Sequence, residues 1–358
     1  MAFNLEKLFV DVFAPKDEVV TVMYDLPVGK IPDSAEWRKR REMAEEWHRE
    51  IKEFSRKYNA RVNPLLTYEA TGCNNGDLPE YGIIEGKRTK ISDVMLHSTI
   101  VICMPEFSAT APLHGYTRKN PDLRAASMPG VNKAMELTGL SADYGKVAGK
   151  CVLLAKLYEQ SIGVEVIFST GHKCYFDVSD RKTPMEDNGF LHRTTDKDVS
   201  RVVNLPSGEV CVVPNENPNS KTEGRVPAAF GRETAVFVIK HNKIVDVEGD
   251  GENAARMRRE FLGEPAMCNI AEVAIGCNDK AVVSGNVLED EKAGFHWAYG
   301  RSDHLGGKTG VRDFSAPGKV IHQDIVYAKG NPIVCQRLDF VLRSGEKKTA
   351  ITNGELLI

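Results

Sequence analysis

Two histidines near the end of the chain stand beside carboxylates at spacings that could hold a metal ion. The string IHQD (321–324) sets His322 and Asp324 two residues apart inside an apolar segment. A strand alternates its side chains between faces, so both would share one face. Upstream, EDEKAGFHWAYG (289–300) puts Glu291 shortly before His296, with Gly294 between them to permit a turn. Taken alone, an HxD pair is equally well read as a polar stripe on a surface strand, and the surrounding sequence has to decide.

Two more carboxylates stand in apolar settings. Glu209 heads an apolar strand in NLPSGEVCVVP, and Glu272 lies inside NIAEVAIGCN. A charge buried alone costs several kcal/mol or neutralises itself, so Glu272 needs either a cation or an exposed strand edge. Four carboxylates and two imidazoles exceed the usual four ligands of one zinc but suit two metal ions sharing a carboxylate. Such a centre activates water and polarises a carbonyl, which makes hydrolysis the natural chemistry. Mixed oxygen and imidazole donors fit zinc, cobalt or manganese alike.

Other residues offer alternatives. Cys73 sits in a glycine-containing loop and Cys174 lies near His172, so a catalytic cysteine is conceivable, although buried cysteines usually act as small hydrophobes. No CxxC pair occurs among the eight cysteines, which in a reducing compartment are expected as free thiols. Tyr68, Glu69, Asn74, Asn75 and Asp77 form a polar loop after an expected strand, where open α/β sheets present ligand contacts. An ordinary surface loop explains them as well.

The elements that must position these groups fall into two kinds. In the first half, strand patterns at 19–25, 61–70, 98–105 and 164–169 alternate with helical ones at 35–60 and 144–160, with Asp33 or Ser34 as a helix cap. This rhythm predicts an α/β N-terminal domain with an open Rossmann-like sheet. Neither GxGxxG nor GxxxxGK[ST] occurs, so a phosphate-cradling loop is not expected. In the second half, EVCVVP, ETAVFVIKHNKIVDVEG, KAVVSGNVLEDE, KVIHQDIVYA and RLDFVLRSG read as strands, with one helix at 252–263. That half is expected to be a β-rich α+β metal-binding domain. The boundary is placed near 195, giving domains 1–195 and 196–358.

At 358 residues the chain exceeds the roughly 100–200 residues of a common domain. A net charge of −3 offers no attraction for phosphate backbones or anionic lipid, so neither nucleic acid nor membrane is expected as a partner. The N-terminus lacks the uninterrupted apolar stretch of a signal peptide, and a cytoplasmic location is expected.

Taken in order, NLPSGEV, AEVAIG, NVLEDEKAGFHWAYG and HQD resemble the aminopeptidase T family of thermophilic, leucyl aminopeptidase-like metallopeptidases, over roughly residues 200 to 330. The resemblance implies a dimeric two-metal exopeptidase acting on a small peptide or amide. It implies six ligands, Glu209, Glu272, Glu291, His296, His322 and Asp324, with Glu272 bridging and central to catalysis. The chain departs from the family pattern where a catalytic tyrosine is expected: that position holds Asp303, followed by His304. Asp303, His304, Tyr299 and Arg301 are the nearby candidates to replace it. Where many members carry two successive glutamates, this chain has Gly208 and Glu209.

Two other functions compete with hydrolysis. Ring-opening dioxygenases acting on 2,5-dihydroxypyridine look related but bind one ferrous iron, and they replace the glutamate matching Glu272 with histidine. Alternatively, the fold has become a binding protein with a vestigial metal site. Retention of six ligand-capable residues argues against that, since so much uncompensated negative charge is hard to gather without a cation.

Overall fold

The computed structural model describes residues 3–180, 183–196 and 199–358. The chain forms two compact units, the first from Met1–Ala148, Asp187–Ser207 and Asp279–Ala281, the second from Gly149–Glu186, Gly208–Asn278 and Val282–Ile358. The single crossing expected near residue 195 is thus replaced by several. The physical reason is strand pairing: Ser161–Phe168 aligns antiparallel with Cys335–Leu342, which commits 149–186 to the second unit.

In the first unit, Val19–Leu26 lies at the middle of a mostly parallel sheet. The order is Val202–Asn204, Arg124–Ser127, Ile100–Cys103, Val19–Leu26 and Leu66–Glu69, followed by the antiparallel hairpin Tyr81–Ile84 and Lys87–Lys90. Helix Ala35–Phe54 starts where the Ser34 hydroxyl accepts a hydrogen bond from the Trp37 amide, and it buries Trp37, Arg40, Ala44, Trp47 and Ile51 at helical spacing. The polar loop after Leu66–Glu69 is tied to the segment 108–111. Asn74 accepts from the Ser108 amide at 2.9 Å and Asn75 from the Ala111 amide at 3.0 Å, while Tyr68 is buried against Cys103. These residues brace the loop.

The second unit contains two antiparallel sheets. The larger runs Lys243–Glu248, Glu233–Lys240, Glu223–Phe230, Lys173–Asp177, Ser161–Phe168, Cys335–Leu342, Lys347–Thr352 and Glu355–Leu356. The smaller runs Met185–Asp187, Glu209–Val212, Ile270–Gly276, Phe295–Gly300 and His322–Val326. Aromatic side chains join them: Phe237 meets Trp297 at 5.6 Å, Phe168 meets Tyr327 at 4.7 Å, and Phe261 of helix Glu252–Gly263 meets Tyr299 at 5.3 Å between ring centroids. Odd-numbered residues of Phe295–Gly300 therefore face the apolar core, and period-two alternation turns the even-numbered ones to the opposite face.

Two sequence expectations are corrected. The strand pattern at 164–169 belongs to the larger sheet of the second unit, not to the open sheet of the first. The segment 280–291 is not a strand: it ends in helical turns at Val287–Asp290 and Glu291–Ala293. Asn286 caps the first turn by accepting from the Leu288 amide, and Asp290 folds back to accept from the amides of Ser284 and Gly285.

Gly276 is required by this packing. A Cβ there would stand 2.2 Å from the Glu291 carbonyl oxygen and 2.4 Å from the Lys292 carbonyl carbon. Gly276→Ala is expected to push the turn away and cost about 1–3 kcal/mol, by analogy with other overpacked sites. Urea denaturation checks this, and an unchanged midpoint would contradict the close approach.

Candidate metal centre

Five of the six residues singled out in the sequence project from one face of the smaller sheet of the second unit. Antiparallel register sets Glu272 opposite Ala298 and Ala298 opposite Asp324, so the two carboxylates flank a small residue in one row. The neighbouring row holds Cys211, Ala274, His296 and Val326, and Gly300 stands opposite His322. Glu209 heads its strand opposite Gly276. The residues between these side chains, Ala274, Ala298 and Gly300, are small and buried. Glu291 joins from the helical turn that Gly276 admits.

The side chains fall into two groups of three, Glu209 with Glu291 and His296, and Glu272 with His322 and Asp324. Glu272 belongs to both by position. Its Oε2 lies 3.0 Å from His322 Nε2 and its Oε1 lies 3.8 Å from His296 Nε2. His322 Nε2 is also 3.5 Å from Asp324 Oδ1, and His296 Nε2 is 3.3 Å from Glu209 Oε2.

Both imidazoles are locked in orientation. Nδ1 of His322 is 2.7 Å from the Arg301 carbonyl oxygen, and Nδ1 of His296 is 3.2 Å from that of Gly294. A carbonyl oxygen only accepts, so Nδ1 carries hydrogen in each ring and Nε2 is aimed at the carboxylates. Backbone restraint of this kind is how metal-ligating histidines are commonly oriented.

The electrostatics ask for positive charge. Burial alone would lower the pKa of His296, yet Glu209, Glu272 and Asp324 hold it up at about 9. His322 is likewise raised well above its ordinary value: burial opposes this, and Asp324 and Glu272 outweigh it. Burial would raise Glu209, but Lys292 and His296 bring it to about 2. Glu291 is pushed up to about 8 by burial, with Glu209 and Asp324 adding repulsion against the pull of Lys292. The site therefore draws protons onto its imidazoles and onto one carboxylate, the response of an anionic cluster short of cations.

Lys292, which sequence reasoning passed over, supplies one fixed positive charge. It is fully buried, and its ammonium lies 2.6 Å from Glu209 Oε1 and 2.7 Å from Glu291 Oε1. The signal was present in EKAGF, a lysine next to a suspected ligand at the head of an apolar strand. One ammonium does not balance four carboxylates. The buried Glu209 Oε2 makes no well-aligned hydrogen bond and faces only the His296 Nε2, at 3.3 Å. The donor set and the inward-facing Nε2 atoms fit divalent cations.

The remaining candidates separate clearly. His304 comes to the rim, its ring 4.8 Å from that of His322. Asp303 pairs with the Arg301 guanidinium, outside the ligand groups. Tyr299 does not replace the missing tyrosine, because it sits on the opposite face among Phe237, Phe261 and Trp297. Arg301 contributes its carbonyl to His322 and its side chain to Asp303. Cys174 is no nucleophile, since burial drives its thiol far above the usual range, while His172 is half-buried and bonded to Thr170. Cys73 is exposed in the first unit. Cys211, also unsuspected, shares the ligand face, and burial together with Glu272 raises its thiol well above the ordinary value.

No family model and no curated protein matches the sequence. Among solved structures the chain is similar to 2,5-dihydroxypyridine dioxygenase from Pseudomonas putida, at 15% identity and a TM-score of 0.62, covering 99% of this chain and 96% of that one. It is also similar to AmpT from Thermus thermophilus, an aminopeptidase T, at 13% identity and a TM-score of 0.56, covering 99% of both chains. At these identities the likeness is one of fold. Both neighbours are enzymes, and a metal enzyme agrees with the residue groups found here. Among the described residues, no helix is long and apolar enough to cross a membrane.

If each group of three holds one ion, protein purified without chelators and loaded with zinc should carry two metals per chain by elemental analysis. Glu291→Gln should leave one, and Glu272→Gln should reduce both. Equal metal content in all three proteins would contradict the grouping.

Proposed function

We propose that the chain is a two-metal hydrolase that removes the N-terminal residue of a short peptide or a similar amide. The observation that carries the reading is the position of Glu272, whose two oxygens face the imidazoles of the two separate ligand groups. One carboxylate that would be shared, with Glu209, Glu291 and His296 on one side and His322 and Asp324 on the other, is the arrangement expected of a dinuclear hydrolytic centre and exceeds what one ion needs. Glu209, Glu291 and His296 would hold one divalent ion and Glu272, His322 and Asp324 the other, zinc, cobalt or manganese. Bound there, such ions supply an activated water and a polarised carbonyl.

The reaction adds the water oxygen to the amide carbonyl carbon, breaks the C–N bond, and returns a proton to the departing amine. The chain's own residues orient this chemistry. Arg301 and Gly294 carbonyls fix the imidazoles, and Lys292 holds Glu209 and Glu291 in place while offsetting part of their charge. Preorganised ligands of this kind need little rearrangement during the reaction. His304, beside His322, is the group placed to donate a hydrogen bond to the developing oxyanion in the role the family gives to tyrosine. Asp303 acts behind it by pairing with Arg301. The reading extends to a homodimer working in the cytoplasm, without nucleic-acid or membrane partners.

A second reading has its own support, the fold likeness to a 2,5-dihydroxypyridine dioxygenase. The group Glu272, His322 and Asp324 could hold a single ferrous ion. Two carboxylates with one imidazole depart from the two-histidine, one-carboxylate triad usual for such iron, and the second group of ligands would then have no task. A vestigial site explains even less, because it leaves the anionic cluster uncompensated.

The test uses leucyl- and alanyl-anilides. Metal-free protein should be inactive, zinc, cobalt or manganese should restore turnover, and Glu272→Ala should abolish it. His304→Ala should lower kcat by about a hundredfold while keeping the metal, the usual scale for one lost oxyanion donor. Oxygen uptake by the iron-loaded protein with dihydroxypyridine, without anilide turnover under any metal, would overturn the hydrolase reading in favour of the second.

A further inference from the structure

The strand His322–Val326 carries two of the ligands and is also the last strand of its sheet. Its bonds to Phe295–Gly300 are fixed by two flanking contacts: the Arg301 amide donates to the Ile321 carbonyl, and the Tyr327 amide donates to the Phe295 carbonyl, each at 2.8 Å. In an antiparallel ladder such bonded positions recur at every second residue. Odd-numbered residues therefore spend their backbone groups inward. The amides and carbonyls of His322, Asp324 and Val326 point out from the sheet edge, and among the described residues no backbone group answers them. The Asp324 carbonyl is met only by the exposed side chain of its neighbour Gln323.

An open edge is ordinarily a liability that proteins cover or charge. Here it runs beside the candidate centre, and it borders a cavity of about 510 Å³. Phe230, Met257, Ile325 and Ile333 line this cavity together with Arg256 and Glu260. Ile325 and Gln323 border it from the strand face opposite His322, while Asp324 reaches it from the ligand face. The cavity thus wraps the edge. A guest strand laid against the edge would alternate its side chains, one set toward the metal ligands and the other into the cavity.

We infer that the peptide substrate binds as an added strand along His322–Val326, its backbone paired with the outward groups of His322, Asp324 and Val326. The inference rests on the hydrolase reading for the occupant, but the edge and the cavity stand independently of it. It explains why ligands and edge share one strand: backbone pairing sets the register of the peptide, and the same residues present its first amide to the centre. Binding through main-chain hydrogen bonds, with pockets reading alternate side chains, is an established mode of peptide recognition. It makes the enzyme indifferent to much of the sequence but sensitive to side chains two residues apart, every second one entering a cavity that offers both apolar residues and the polar Arg256, Glu260 and Asn331. The chemical class of substrate is then an extended peptide of about five residues, since the strand offers five positions.

The test measures binding apart from turnover. A pentapeptide with its first amide reduced to CH2–NH and fluorescein at its C-terminus is titrated with the zinc-loaded protein by anisotropy. N-methylation at each later amide is then scanned. Methyl groups at alternate positions should weaken binding by about tenfold per blocked hydrogen bond, and those between should be tolerated. Val326→Pro, which removes one outward amide, should weaken the unmethylated peptide by a similar factor. Should that variant fail to melt cooperatively, the methylation scan on unaltered protein decides alone.

Methylation effects without alternation, or no measurable binding, would overturn the added strand, whatever the anilides show. Alternation together with inert anilides would keep the strand and discard the hydrolase. A dimer held by the edge, dissociating in Val326→Pro and blocking the peptide, would overturn the inference in favour of a second copy.

Discussion

The organisation of the second unit follows from one electrostatic constraint. Glu209, Glu272, Glu291 and Asp324 converge where little water reaches, with Lys292 as the fixed counter-charge against Glu209 and Glu291. Carboxylates in such a place repel one another and forgo hydration, so each must be neutralised or paired. Protons answer part of the demand, which is why His296 and His322 titrate high and Glu291 holds its proton to about 8. Divalent cations would answer the same demand with fewer particles, and the Nε2 atoms already face the carboxylates.

Sheet geometry makes the gathering possible. Alternation sends Trp297, Tyr299 and Tyr327 into the apolar layer between the sheets, and sends His296, His322 and Asp324 to the other side. A rigid aromatic core therefore backs the candidate ligands, and the residues between them, Ala274, Ala298 and Gly300, are small and buried. The one ligand off the sheet, Glu291, depends on Gly276 for its approach. Core packing and site geometry are two faces of the same strands.

Much of this was legible in the sequence, for reasons that particular residues make plain. His322 and Asp324 share a face because two-residue spacing on a strand forces it. Glu272 stood out because a charge inside an uninterrupted apolar run needs a partner. Parity counted from His296 would also have excluded Tyr299, since an odd offset turns it to the core. What the sequence hid was non-local. Periodicity shows that Ser161–Phe168 is a strand, but its partner Cys335–Leu342 lies far along the chain and no local pattern names it. The valines of 280–291 suggested a strand, whereas the Asn286 cap and the folded-back Asp290 decide for helical turns. Lys292 escaped notice because a lysine is usually solvated, and only the carboxylates around it make burial tolerable.

The two structural neighbours share the architecture and differ in their chemistry, so fold alone does not choose between them. The choice falls to the ligand groups and to Glu272 between them. Zinc K-edge absorption fine structure on the loaded protein tests that centre most directly. The account predicts a first shell of oxygen and nitrogen at about 2.0–2.2 Å with imidazole scattering, and a metal–metal distance of about 3.5–4 Å. A shell containing sulfur, or one of oxygen alone with no imidazole and no second metal, would contradict it.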